Sequence, residues 1–464
     1  MSKDVRPLRF NYFTSFTPSG SHAAPWYQPR SPKFDYTSLD DWIKLAQKLE
    51  AAKFDSIFWA DHSGVHDIYQ SSYATAVREA VQFPTMDPLA LTAALASSTS
   101  DIGFVFSANV IQDHPYSFAR RLTTLDHLTR GRASWNVVTS FQPSAWRNLG
   151  FDQLPNHADR YSRAQEFVSV VYKLLEGSWE DGAVVRDTEN RIYADPAKVH
   201  AVGHEGEIYQ VPGIHTSEPS PQRLPVLFQA GSSADGRAFS ARNAEAVFIT
   251  AINERGAAKV IADMETLLAA ENRLSSDMLY FVQTSIIVGS TEEEAKRKSA
   301  EADEYLSSEA LLAFASSTMG VDLSEIDLDS AVGNFETDAL KGQFRALAEA
   351  APDKSWTFRE VVKSMLTRRI AGTPEQIASE LEKWQAVGVN GINIGSLTGP
   401  GELYDFAEHV APVLQERGLM QTEYSAGTFR EKLFSGCPEM SGARINDRHP
   451  AAGYRASKVS SSTL

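Results

Sequence analysis

Short apolar runs rich in β-branched and aromatic residues recur along the chain, each bounded by polar or turn residues and most followed by a stretch of helical period. Eight stand out, at 8–13, 56–60, 102–107, 133–139, 225–229, 246–250, 278–288 and 391–394. Between them the apolar period changes from two to 3.6. Over 39–53, Leu39, Trp42, Ile43, Leu45, Ala46 and Leu49 share one stripe, and over 374–387 Ile377, Leu381 and Trp384 do the same. Alternating strands and helices predict a parallel sheet covered by helices. Eight such units fit a closed α/β architecture, the TIM (β/α)8 barrel, better than an open doubly wound sheet, because no GxGxxG turn follows the first run, where a Rossmann unit requires it.

Two connections exceed simple βα loops. The stretch 140–224 holds one strong helix, predicted over 159–175, followed by YADPAKVH and GEIYQVPG, which read as a small β excursion. The stretch 290–373 is mostly helical and acidic. Insertions of this kind shape a barrel's substrate mouth or an oligomer interface. The expected organisation is one domain over 1–443 with these two insertions, then a polar, poorly ordered tail over 444–464.

Composition narrows the partners. The 464 residues carry 44 Lys and Arg against 59 Asp and Glu, a net charge of −15, which argues against a sequence-independent grip on nucleic acid or anionic lipid. A single cysteine, Cys437, can form neither an intrachain disulfide nor a thiolate metal site. The opening MSKDVRPLRFNYF has no apolar signal core, and no apolar run of about 18 residues follows. The expected location is the cytoplasm.

In a barrel the site gathers where the strands end. There the sequence puts Asp61-His62, Ser107 with Asn109, Asn136 with Thr139, and Gln229-Ala230-Gly231-Ser232-Ser233. This polar, mostly uncharged set suits a large heterocycle held by amides and hydroxyls, although each member could equally cap a helix. Gly231, Ser232 and Ser233 stand between a strand and a helix, where free N–H groups favour a phosphomonoester. His157 with Arg160-Tyr161 could add a cation and a phenol, or Tyr161 could be an ordinary half-buried helix residue. His62 and His66 have i, i+4 spacing and, with Asp61 and His114, leave a metal-dependent hydrolase as an alternative, but no thiolate supports one. His22, in SGSHAAPWY, lies at the same barrel end beside Trp26 and Tyr27.

Longer stretches carry a more specific signal: AKFDSIFWAD, HPYSFARRLTTLDHLTRGRASWNVVTS, HADRYSRAQEF, YADPAKVHAVGHEGEIYQVPG, PVLFQAGSSADGR, AGTPEQIASELEKW and AEHVAPVLQERGLMQTEYSAGTFREKL, in order and over most of 8–435. They resemble the nitrilotriacetate and dibenzothiophene sulfone monooxygenases, bacterial-luciferase-like two-component flavin monooxygenases. The resemblance implies FMN across the barrel mouth, with Asp61, Ser107, Asn109, Asn136 and Thr139 at the ring and ribityl chain and His157, Tyr161, Gly231, Ser232 and Ser233 at the phosphate. It implies that a separate NAD(P)H:flavin reductase supplies FMNH2, which reacts with O2 to a C4a-(hydro)peroxyflavin. It also implies His22 near the reacting edge, steering a proton or positioning substrate; no metal and a homodimer or homotetramer are expected.

The sulfone branch has a histidine where this chain has Thr318, which weakens sulfone specificity. Aromatic residues near the strand ends (Phe13, Trp26, Tyr27, Phe58, Trp59, Tyr69, Phe141 and Trp146) favour an apolar, aromatic, sulfur-containing or halogenated substrate, with Phe13, Trp26, Phe58 and Phe141 as its expected contacts. The nearest alternative is a deazaflavin-dependent oxidoreductase of the same superfamily.

Overall fold

The computed structural model describes residues 6–20, 26–29, 33–231, 233–251, 253–331, 355–366, 368–397 and 399–455. Eight parallel strands form the barrel: β1 (Arg9–Thr14), β2 (Ser56–Trp59), β3 (Gly103–Asn109), β4 (Ala133–Val138), β5 (Val226–Gln229), β6 (Ala246–Phe248), β7 (Leu279–Val288) and β8 (Gly391–Gly395). Each pairs with its neighbour in sequence, with Tyr12 opposite Ile57 and Ser134 opposite Val226. β8 closes the ring by lying between β1 and β7, where Phe10 faces Ile392 and Phe281 faces Gly391. All eight expected runs are barrel strands. The sixth is shorter than its apolar pattern, because the chain turns after Phe248 while the Ile249 N–H still bonds the Phe281 carbonyl at 2.9 Å. A short strand absent from the expectation, Arg369–Gly372, pairs with the upper half of β7.

Strand alternation sorts the side chains. Outward residues of β1 and β2 such as Phe10, Tyr12 and Trp59 bury under α1 (Leu39–Ala51), whose Trp42, Leu45, Ala46 and Leu49 form the inner stripe and whose start is capped by Ser38. Inward residues fill the barrel: Phe58, Phe228 and Phe281 are buried in its interior, with centroid spacings of 5.7 Å from Phe228 to each of the others.

The end at the strand N-termini is closed by the C-terminal segment. Phe429, Leu433, Phe434 and Met440 pack onto Phe228 and Leu279. Gly103 admits this plug because a Cβ there would stand 2.4 Å from the Phe429 ring. The Arg430 guanidinium meets fully buried Glu245 at 2.7 Å. The expectation of a loose tail after Ala443 fails as far as Arg455. Ile445, Ala451 and Ala452 are buried, the His449 Nε2 donates to the Asn243 carbonyl at 2.8 Å, and Arg448 reaches Asp277 at 2.8 Å. Composition concealed this, because the segment's polar residues are matched to carboxylates and carbonyls far back in the chain. Residues 456–464 lie outside the described residues.

The first insertion carries α2 (His157–Tyr172), which starts two residues earlier than its apolar pattern because Asn156 caps it, and continues as a π turn over Lys173–Gly177. Two small hairpins follow, pairing Val184–Asp187 with Ile192–Ala194 and His204–Glu205 with Gln210–Val211. On β5 follows α3 (Ala234–Asn243). The second insertion contains α4 (Ser308–Met319), whose Leu311, Leu312, Ala315 and Met319 pack on Tyr69, Val81 and Ile287. Among the described residues no helix is long and apolar enough to cross a membrane.

Candidate active site

The open end of the barrel collects the carboxyl ends of the strands. At the end of β5 the Gln229 side chain bridges two elements: its Nε2 donates to the Tyr161 hydroxyl of α2 at 3.3 Å, and its Oε1 accepts from the Ser240 hydroxyl of α3. The next turn has no room for a Cβ at Gly231 or Gly236. A Cβ on Gly231 would stand 2.7 Å from Gln229 Nε2 and 2.8 Å from the Gly236 Cα. One on Gly236 would stand 2.8 Å from the Tyr161 hydroxyl. Ser233 is the N-cap of α3, its Oγ accepting from the Gly236 N–H at 3.0 Å. His157, opening α2, lies 3.0 Å from Asp235 in the first turn of α3. Gly231, Ser233, His157 and Tyr161 are therefore one constellation, built from a helix N-terminus, an imidazole and a phenol. Burial pushes the Tyr161 phenol further up, so it remains a donor at neutral pH. Arg160 turns away, giving Nη1 to the Ser140 carbonyl at 2.7 Å.

On the neighbouring strands, Ser107 and Asn136 are both buried and joined by a 2.8 Å bond from Asn136 Nδ2 to Ser107 Oγ. The other amide atom, Asn136 Oδ1, has no partner among the described residues. Asn109 does a different job from the one expected: its Oδ1 accepts from the Ile111 N–H at 3.2 Å and its own N–H bonds Gln112, so its side chain shapes the turn after β3. Thr139 lies beside Tyr161 and bonds its phenol.

After β2, burial raises the Asp61 carboxyl to about 7, opposed by the His62 N–H and assisted by the charge of Asp87. Burial also lowers the His62 imidazole to about 4, against a bond to the Gln82 backbone. His66 is buried, with Nε2 3.1 Å from Gln82 Oε1 and its ring 5.2 Å from that of Phe314 on α4. His114 caps the helix Pro115–Leu128 by accepting from the Tyr116 N–H at 3.3 Å. Among the described residues no three His, Cys, Asp or Glu side chains form a group that could hold a metal ion.

The aromatic expectations divide. Phe13 is half-buried at the mouth, 5.3 Å from Phe58 and 6.0 Å from Phe248 between ring centroids. Phe58 itself is 0% exposed and belongs to the barrel interior beneath Phe13. Trp59 points outward against Trp42, Trp146 packs on Phe151, and Tyr69 lies under α4. Residue parity and helix cover decide these fates. Trp26 and Phe141 are exposed, by 52% and 40%, in the loops that rim the mouth. Thr318 is exposed and bonds its own helix at Phe314. His22 and Ser232 lie outside the described residues. Gln283 and Asn393, missed by the sequence reading, face the barrel interior on β7 and β8, and Gln283 is the exposed residue of an otherwise buried strand. The polar letters QTS in the middle of LYFVQTSIIV were the available signal. A separate cavity of about 520 Å3 opens on the first insertion. No barrel strand contributes to it, and its Arg186 and Glu218 pair with each other at 2.7 Å.

The model of the luciferase-like monooxygenase family matches residues 8–391. The chain belongs to that family. It is a flavin-dependent monooxygenase. The long-chain alkane monooxygenase of Geobacillus thermodenitrificans is 41% identical over 93% of this chain and 94% of its own length. The dimethyl-sulfide monooxygenase of Hyphomicrobium sulfonivorans is 38% identical over 97% and 94%. The nitrilotriacetate monooxygenase component A of Aminobacter aminovorans is 33% identical over 92% and 97%. Among solved structures, a riboflavin lyase holding a modified FMN and riboflavin superposes with a TM-score of 0.87, at 34% identity over 97% of this chain and 100% of that one.

Proposed function

We propose that this chain is the oxygenase of a two-component system, taking reduced FMN from a separate NAD(P)H:flavin reductase and oxygenating a small, predominantly apolar organic substrate. The observation that carries the reading is the constellation of Gly231, Ser233, Gly236, Tyr161 and His157, which offers a phosphomonoester free N–H groups, a phenol and an imidazole in a turn too tight for a Cβ at either glycine. The unpartnered Asn136 Oδ1 supports it, since a buried acceptor without a donor is completed by a ring N–H. A relative is named as a component A, and a solved relative carries a modified FMN, in keeping with a borrowed flavin.

Reduced FMN, when bound, supplies the electrons that activate O2. This chain's residues do the rest. Ser232, Ser233, Tyr161, His157 and the Gly231 turn hold the phosphate; Asn136 with Ser107, Asp61 and Thr139 orient the ring and ribityl chain; Asn109 acts through the turn it shapes. Phe13 and the rim residues Trp26 and Phe141 exclude water and contact the substrate, with Phe58 as support beneath. His22 steers a proton or the substrate at the reacting edge. We further propose that 1–443 act as one barrel domain with insertions at about 140–224 and 290–373, and that the protein works as a homodimer or homotetramer.

The test is anaerobic titration of the purified protein with FMNH2 and with a reduced deazaflavin, followed by admission of air in the presence of candidate substrates. The expected result is a nearly colourless protein that prefers FMNH2 and couples O2 uptake to product. Preference for the deazaflavin, or tight yellow flavin reduced by NADH without a second protein, would overturn the assignment.

A further inference from the structure

A polar corner inside the barrel has no place in the flavin contacts above. It starts as a chain of hydrogen bonds across three strands: Ser56 Oγ donates to Asn11 Oδ1 at 2.7 Å, and Asn11 Nδ2 donates to Asn393 Oδ1 at 2.9 Å. All three residues are 0% exposed. The chain ends on Asn393 Nδ2, a buried donor with no acceptor among the described residues. A buried amide left unpaired costs about 1 to 3 kcal/mol, so it asks for an explanation.

The explanation lies next to it. Asn393 is in register with Gln283, and Gly395, two residues further up β8, is in register with Ser285. By parity all four face the barrel interior. Gly395 leaves the space between them empty: a Cβ there would stand 3.5 Å from Ser285 Oγ and 3.6 Å from Gln283 Nε2, ordinary contact distances. Gln283 is exposed although the strand residues on either side of it are buried, so open volume reaches down to its level. The flanking strands are apolar at the mouth, with Phe13 on β1 beside β8 and Phe248 on β6 beside β7. The ionisable residue deeper on β1, Arg9, is committed to Asp55, Gln421 and Ser435. From Asn11 upward the described inward residues of β1, β7 and β8 carry no ionisable group.

We propose that Gln283 and Asn393, with the space left by Gly395, are the specificity-determining corner of the substrate pocket, and that the substrate class is an uncharged molecule with an apolar body and one hydrogen-bond acceptor oxygen, such as a sulfoxide, sulfone, ether or carbonyl. The apolar body lies against Phe13 and Phe248; the oxygen accepts from the exposed Gln283 amide, beside the buried amide of Asn393. Anionic substrates are disfavoured, because nothing in the corner neutralises them. This rests on the oxygenase reading for the word substrate, but the binding claim stands apart from it.

The experiment is equilibrium dialysis of the flavin-free full chain against methyl phenyl sulfoxide, its near-isostere isopropylbenzene, and benzenesulfonate. Gln283→Leu, at an exposed position, keeps the fold. It should weaken sulfoxide binding roughly 5- to 10-fold, the loss of one neutral hydrogen bond, while leaving isopropylbenzene unchanged or tighter. Gly395→Ala, which fills the corner, should weaken both neutral probes alike. A sulfoxide-to-hydrocarbon ratio unchanged in Gln283→Leu, indifference of both probes to Gly395→Ala, or benzenesulfonate binding as well as the sulfoxide would each overturn the proposal. FMN affinity measured on the same samples keeps the two readings distinguishable: normal FMN binding with an unchanged ratio sinks the corner alone, whereas absent FMN binding with the expected ratio sinks the flavin assignment alone.

Discussion

The Arg430 guanidinium, at the closed end of the barrel, makes four hydrogen bonds, two to Glu245 and one each to the carbonyls of Leu224 and Ala443. Asn136, Gln142 and Asn393, at the open end, are as deeply buried, yet each leaves an amide atom without a partner among the described residues. The closed end also matches Asp126 with two bonds from Gln222 and fixes Arg132 with five, Arg273 Nε being an exception. The difference separates two uses of buried polarity. Where charge is fully paired, removing one member is costly and nothing is left for a ligand. Where a donor or acceptor stays open, folding gives up stability that a bound molecule can return.

The largest expected effect tests the closed end. Arg430→Met leaves Glu245 buried and uncompensated and should cost about 3 to 5 kcal/mol of folding stability by urea denaturation. FMN affinity of the protein that remains folded should not change. A small cost would mean that water reaches Glu245 and that the contrast between the two ends is false.

The second is the mirror image at the open end. Ser232→Ala with Ser233→Ala should weaken FMNH2 binding by about 2 to 4 kcal/mol, taking charge-assisted bonds at roughly 1.5 to 3 each with incomplete additivity. Folding stability should fall only by about 1 kcal/mol, the lost cap of α3. Tyr161→Phe should lose less affinity than the pair. Unaltered affinity in the double variant puts the phosphate elsewhere.

Asp61 gives a pH test of intermediate size. Its carboxyl is raised from 3.8 to about 7, so the folded protein holds that proton more tightly than the unfolded chain. Its contribution to stability is complete below the ordinary carboxyl pKa and is lost as pH rises through about 7. Above that pH its charge also opposes an anionic reduced flavin. Asp61→Asn should therefore narrow the difference between urea midpoints at pH 5 and pH 8 and flatten the decline of FMNH2 affinity. His62, lowered to about 4, acts in the opposite direction as pH falls below 6.5, so variant and parent must be compared at each pH. A parallel shift of the two profiles would show that Asp61 is solvated rather than buried.

The smallest change concerns the rim. Trp26 is exposed, and Trp26→Ala should alter stability by less than about 0.5 kcal/mol. A raised KM at unchanged kcat would sharpen its role as a substrate wall; no kinetic change would make it surface.

Local chemistry was legible wherever a residue's role depends on its immediate neighbours. The apolar stripe from Leu39 to Leu49 announces α1, and Gly231 to Ser233 between a strand and a helix announces a tight turn with free N–H groups. Asn109 shows the limit of that reading: the residue type fits a ligand contact, but its bond to the Ile111 N–H two residues on makes it a turn former. Phe58 and Trp59 are adjacent aromatics in the same run, and one fills the barrel while the other lies under α1.

The sequence by itself determined the eight strands and the closed barrel, because period-two and period-3.6 patterns are written into consecutive residues. The tertiary structure alone decided which buried polar atoms are matched. Arg430 finds Glu245 across 185 positions, Arg448 ties the expected tail to Asp277, and Asn393 meets Asn11 across 382 while its second amide atom meets no partner among the described residues. Pairing of that kind is set by three-dimensional distance after the ring has closed, and no local pattern along the chain records it.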